Sequence, residues 1–134
     1  MKTKTIKQTV EFHAGPHEVF EALMDSKKHS AFTSSKCKIA REAGGKFSAY
    51  DGYIFGGNLE IVPDKKIVQS WTCTDWPDGH FSKATFEIGK SKNGAKLSFT
   101  QTGVPKDFFD EISSGWHEHY WEKMKVLFEK RKSK

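Results

Sequence analysis

Cysteine is scarce in this chain, with only Cys37 and Cys73 among 134 residues. Two thiols do not make a disulfide framework, and both fall in strand-like stretches, so reduced side chains in a cytoplasmic setting are expected. Long apolar runs are missing as well. No stretch approaches the ~18 residues of a membrane span, so stable membrane insertion is not expected. The opening Met1-Lys2-Thr3-Lys4-Thr5 lacks the apolar core of a secretory signal. A nucleophile elbow, a phosphate-binding loop and a dinucleotide glycine signature are all absent. The residues therefore assign no catalytic group and no cofactor. Histidines with metal-ligand spacing are missing too. His117 and His119 are two apart on a helix and point roughly 200° away from each other, whereas zinc helices space their ligands by four. His13, His17, His29 and His80 show no ligand spacing, so no metal is expected.

The net charge of +5 is not a basic binding face. Lys130, Arg131, Lys132 and Lys134 supply most of it from the extreme C-terminus, where a solvated tail is the expectation and nucleic acid is not. What the chain does have is aromatic bulk: eleven Phe, four Trp and three Tyr. Rings in that number need a large core or a lined cavity.

Ile6, Val10 and Phe12 share one parity against Lys7, Thr9 and Glu11, which reads as a half-buried first strand with Gln8 as its weak position. Gly15-Pro16 and Glu18 start a short helix with a Val19, Phe20 and Leu23 stripe, and a second short helical piece is expected over 27–32. Six strand segments follow: 37–41, 46–50, 53–62, 66–73, 82–89 and 95–102. Gly44-Gly45, Asp51-Gly52, Pro63-Asp64-Lys65 and Asn93-Gly94 supply short turns, and the stretch 75–80 a longer loop. After Gly103-Val104-Pro105 the period changes. Ile112, Trp116, Tyr120, Met124 and Leu127 recur every three or four residues, predicting a helix of roughly twenty residues from near Asp107. A single α+β domain over residues 1–134 is expected, a curved seven-stranded antiparallel sheet around this long C-terminal helix, with two short helices between strands 1 and 2.

Several local patterns coincide in order and spacing. They are Gly44-Gly45-Lys46-Phe47, Asp51-Gly52, Ile67-Val68-Gln69-Ser70-Trp71, Trp76-Pro77-Asp78-Gly79-His80-Phe81, Gly103-Val104-Pro105, and Gly115-Trp116 with Tyr120-Trp121. Together they resemble the C-terminal domain of the activator of heat shock protein 90 ATPase and its stand-alone relatives, over about residues 5–128. The resemblance implies the helix-grip fold of START-like proteins, whose members commonly enclose an apolar cavity. It also implies a chaperone link, although in eukaryotic co-chaperones this domain is the second of two, and the first is not represented here.

On strand parity Phe47, Phe55, Trp71, Phe86 and Phe99 are candidates to face the long helix, with Trp116 and Tyr120 meeting them. Gln69, Gln101 and the Tyr120 hydroxyl would supply polar contacts. Plain core packing and a cavity lining for an apolar ligand both fit these residues. The loop residues Trp76, Asp78, His80 and Phe81 are candidates for a partner contact; the alternative is that Trp76 folds back over the sheet edge. Three functions compete. The first is a non-catalytic domain binding a small apolar or lipid-like ligand. The second is a co-chaperone that binds heat shock protein 90 and stimulates its ATPase. The third is a hydrolase- or cyclase-like enzyme using the same cavity, which would need titratable groups converging on it.

Overall fold

The computed structural model describes residues 2–33 and 35–132. Of the basic tail, residues 133 and 134 and the side chains of 130–132 lie outside that description. The chain runs through β1 (Thr3–Phe12), α1 (Pro16–Met24), α2 (Ser26–Thr33), β2 (Lys38–Ile39), β3 (Lys46–Ala49), β4 (Ile54–Val62), β5 (Lys66–Cys73), β6 (Ser82–Ser91) and β7 (Gly94–Pro105). A 3-10 turn (Lys106–Phe108) then leads into α3 (Phe109–Trp116), a π-helical segment (His117–Trp121) and α4 (Glu122–Lys132). The strands form one antiparallel sheet in the order β1-β7-β6-β5-β4-β3-β2. All but β1 follow a meander, and β1 closes the far edge by pairing with β7. Among the described residues, no helix is long and apolar enough to cross a membrane.

The expected seven strands are all present, but β2 is two residues long rather than five. Its outer edge is occupied from α2. Ser30 Oγ accepts the Cys37 amide at 3.0 Å and Ser26 Oγ the Ile39 amide at 2.8 Å. Hydroxyls that cap free amides remove a template for strand addition. Register breaks between Lys4 and Ile6 and between Asn58 and Glu60 are bulges, which bend the strands that carry them. At Gly56 a Cβ would lie 1.8 Å from the Ser70 carbonyl oxygen, so only glycine lets β4 come this close to β5 beside Trp71.

One sheet face carries the core. Ile6, Val10 and Phe12 of β1 point toward it as the alternation predicts, joined by Leu97 and Phe99 of β7, Phe86 and Ile88 of β6, and Ile67 and Trp71 of β5. The long helix covers them. Its buried residues are Trp116, Tyr120, Trp121, Met124 and Phe128, while Ile112 and Leu127, expected on the stripe, are only half-buried. The difference comes from the π segment. Its wider turn, closed by the Glu122 amide on the His117 carbonyl, brings Trp116 and the residue five further on, Trp121, to the same side. Their rings stack at 5.5 Å with an interplanar angle of 18°. Burying each such ring is worth about 2–3 kcal/mol.

Two glutamines index the helix to the sheet. Gln8, the polar residue in an otherwise apolar strand face, accepts the Trp121 indole N–H at 2.7 Å and donates to the Ser113 carbonyl at 3.0 Å. Gln101 on neighbouring β7 accepts the Trp116 indole N–H at 2.8 Å and donates to Ser82 Oγ at 2.9 Å. Each amide satisfies a donor that would otherwise cost about 1–3 kcal/mol in burial.

Candidate functional site

The helix and the sheet meet tightly at one end and part at the other. A cleft of about 520 Å3 opens between them, lined by Tyr50, Tyr53 and Ile54 from the β3–β4 turn and the start of β4, by Trp71 from β5, and by Glu111, Ile112, Ser114, Gly115, Trp116, Glu118, His119 and Tyr120 from the helix. Its floor is aromatic. Trp116 lies 5.7 Å from Trp71 and 4.7 Å from Tyr120, ring centre to ring centre.

The turn that brings Tyr50 here is strained. Tyr50 and Asp51 have φ of 51° and 57°, a left-handed conformation that a tyrosine rarely adopts. Tyr50 therefore leaves the strand one residue before the expected Asp51-Gly52 hairpin turn. Its ring swings across the gap, and its hydroxyl donates to the His119 carbonyl at 2.8 Å. Tyr53, on the other side of the turn, donates to Asp75 Oδ2 at 2.6 Å.

A buried polar pair backs the cleft. His29 of α2 donates from Nδ1 to the Leu23 carbonyl at 3.1 Å, which leaves Nε2 to accept the Tyr120 hydroxyl at 2.9 Å. Burial favours the neutral ring and lowers the His29 pKa to about 4, against a smaller opposing effect of the Leu23 bond. Burial likewise raises the Tyr120 phenol well above its ordinary value, with Tyr50 and Cys37 adding to it. Both groups are neutral near pH 7, so the pair is a fixed hydrogen bond there rather than an acid and base in waiting. Cys73 is a buried free thiol whose pKa burial also raises, the opposite of what activates a nucleophile. Among the described residues no group of three or more His, Cys, Asp or Glu side chains is placed to hold a metal ion.

Of the residues proposed from sequence, Trp71, Trp116 and Tyr120 line the cleft. Phe86 and Phe99 lie beneath Trp116, at 5.8 and 4.4 Å, in the solid part of the core. Phe47 is buried on the same face, Gln101 is the indole acceptor described above, and Gln69 donates to Asn58 Oδ1 at 3.1 Å inside the sheet. Phe55 is a correction. It is 40% exposed, because Gly56 and Asn58, paired with Trp71 and Gln69, take the inward parity of β4 and Phe55 falls on the other. In the loop, the alternative in which Trp76 folds back is the one the structure takes. Trp76 is only 4% exposed, folded onto Trp71 at 5.2 Å and therefore no surface anchor. Asp78 is exposed, and His80 donates from Nε2 to the Gly103 carbonyl at 2.8 Å. Phe81 alone of the loop's rings stands out, 45% exposed and edge-on to Phe55 at 6.0 Å. Among the described residues the indole N–H groups of Trp71 and Trp76 find no hydrogen-bond partner, so this corner holds two unsatisfied buried donors.

Sequence reasoning missed Tyr50, Tyr53, His29 and Trp121. Tyr50 and Tyr53 flank Asp51-Gly52, and a ring on each side of a tight turn at a sheet edge was the available signal. Nothing in the weak pattern of α2 marks His29.

A helix gripped by a seven-stranded antiparallel sheet, with two short helices after the first strand, is the helix-grip fold of START-like proteins. The chain belongs to the family described as Activator of Hsp90 ATPase homolog 1-like protein, whose profile matches residues 13–129. It is 35% identical over 127 residues to the activator of 90 kDa heat shock protein ATPase homolog of Dictyostelium discoideum, covering 94% of this chain and 33% of that protein. The human homolog 1 is 30% identical over 124 residues, covering 92% and 36% respectively. The chain thus spans about a third of the length of these relatives. In three dimensions it is similar to a crystal structure of an HSP90 activator from Plasmodium falciparum, with a TM-score of 0.86 and 26% identity over 92% of this chain and 94% of that one. A Mesorhizobium loti protein at TM-score 0.82 and 17% identity shares the fold.

Proposed function

We propose that this chain is a co-chaperone domain that engages heat shock protein 90. The observation that carries the reading is its likeness, over nearly the whole of both chains, to the crystal structure of an HSP90 activator from Plasmodium falciparum, supported by the named activators of Dictyostelium and human. The Phe55–Phe81 pair on the outer sheet face offers two exposed rings, the residue type that anchors interfaces. The test is calorimetric titration of the cognate heat shock protein 90 together with its ATPase rate. A saturable complex and a changed rate are expected, with Phe55→Ala/Phe81→Ala weakening the complex by roughly tenfold or more. Neither binding nor a rate change from the unaltered chain would remove the reading.

A second reading is favoured by the cleft. Its aromatic floor, open mouth and sparse polar groups have the form of a small-molecule site. In this reading the domain holds an apolar or lipid-like molecule between sheet and helix. Native mass spectrometry of the purified protein and titration with an environment-sensitive hydrophobic dye are the checks. Half-buried Ile112 at the rim allows a blocking variant: Ile112→Trp fills the cleft and abolishes saturable binding, with the thermal midpoint holding within a few degrees. No saturable binding by the unaltered protein, across a panel of lipids and metabolites, would end it.

A further inference from the structure

From the cleft's charges we infer that its ligand is an amphiphile with a positively charged head, an organic amine or quaternary ammonium on an apolar body. The inference rests on the small-molecule reading of the cleft and adds a sign to it. The chain carries a net charge of +5 and 22 Lys and Arg residues, yet neither residue type occurs among those lining this cleft. The charged side chains that line it are Glu111 and Glu118, one helical face apart by seven residues, both exposed at the mouth. A third carboxylate, Asp75, stands just behind the wall, holding the Tyr53 hydroxyl at 2.6 Å.

Beneath the carboxylates the wall is made of rings: Tyr50, Tyr53, Trp71, Trp116 and Tyr120. The faces of such rings carry negative quadrupole charge and attract a cation, and an aromatic cage is the usual receptor for a quaternary ammonium head. Carboxylates at the rim and an aromatic wall act in the same direction. Both oppose an anionic head, so a fatty acid or a phosphorylated lipid meets repulsion with no Lys or Arg among the described lining residues to offset it. From the helix the lining also carries His119, exposed to solvent, and the buried Tyr120 phenol, whose hydroxyl is held by His29.

The test compares three probes that share one apolar body: phenylbutyl-trimethylammonium, phenylbutanol and phenylbutyrate, titrated calorimetrically into the full chain at low salt. The cation is expected to bind at least ~tenfold more tightly than the alcohol, and the anion more weakly than either. Glu111→Gln/Glu118→Gln should shrink the cation-to-alcohol ratio several-fold, and raising the salt should shrink it in the unaltered protein, because these carboxylates are exposed to screening. Equal binding of all three probes, or tightest binding of the anion, overturns the inference and leaves the cleft as an apolar site of no charge preference. Failure of all three to bind overturns the small-molecule reading and this inference with it.

Discussion

The two ends of the helix–sheet interface are built from the same residue types and behave as opposites. At one end Trp121, Met124 and Phe128 are fully buried against Phe12 and Phe99, with Phe12 and Phe128 edge-on at 5.5 Å. At the other Trp116 and Tyr120 are just as buried on one side, and yet border a cleft of about 520 Å3 on the other. Aromatic content does not distinguish them. What differs is who covers the rings. The solid end is capped by the opposing strands β1 and β7, whereas the hollow end is bridged by a strained turn holding Tyr50 at a distance. Ring-rich sequence therefore makes core or cavity according to whether the opposing backbone can close in.

The comparison breaks most directly at its solid end. Trp121→Ala removes a fully buried indole and leaves Gln8 Oε1 without its donor, and about 3–5 kcal/mol of unfolding free energy should be lost in a denaturant titration. Ile112→Ala at the cleft rim should cost under ~1–2 kcal/mol, since the side chain is half-exposed already. Equal losses would mean that the two ends are not packed differently.

Acid probes the wall of the cleft. The unfolded His29 ring takes up its proton around pH 6.5, and the native one only near pH 4. Between those values the unfolded chain binds more protons, so falling pH favours unfolding; above the window neither state is protonated and the contribution is constant. Roughly 3 kcal/mol should be lost from pH 7 to pH 4 through this group. His29→Gln should flatten that slope in stability measured against pH. An unchanged slope would show that the pair with Tyr120 is not what titrates.

The smallest effect sharpens the role of the turn. Tyr50→Phe loses a hydroxyl bonded to the His119 carbonyl, a group near the surface that water can reach, so about 0.5–1.5 kcal/mol is expected. Amide exchange at the turn 50–53 should quicken while β1 and β7 keep their protection. A loss of protection across the whole sheet would show that the bridge supports more than the hollow end.

Much of the fold was legible because its signals are periodic. The parity of Ile6, Val10 and Phe12 and the stripe of Trp116, Tyr120 and Met124 each state which way a side chain points. The site was legible only where it borrowed those periods. Trp121 was invisible to a 3.6-residue template because the π segment changes the period locally. Phe55 was misplaced because β4 turns Gly56 and Asn58 inward, opposite Trp71 and Gln69, so the ring between Ile54 and Gly56 faces out. Tyr50 depends on a left-handed φ that a tyrosine does not announce, and Trp76 on the path of a loop that has no period at all.

The two glutamine–indole contacts carry a consequence for motion. A helix tied at Trp116 to β7 and at Trp121 to β1 is in step with two strands at once. A slip by one turn, about 5.4 Å, would strand both donors and both amide oxygens in apolar surroundings, so the helix has no neighbouring resting place along its own axis. The hollow end therefore has one wall that cannot slide, the helix, and facing it the turn at residues 50–53, joined to that wall through the Tyr50 hydroxyl on the His119 carbonyl.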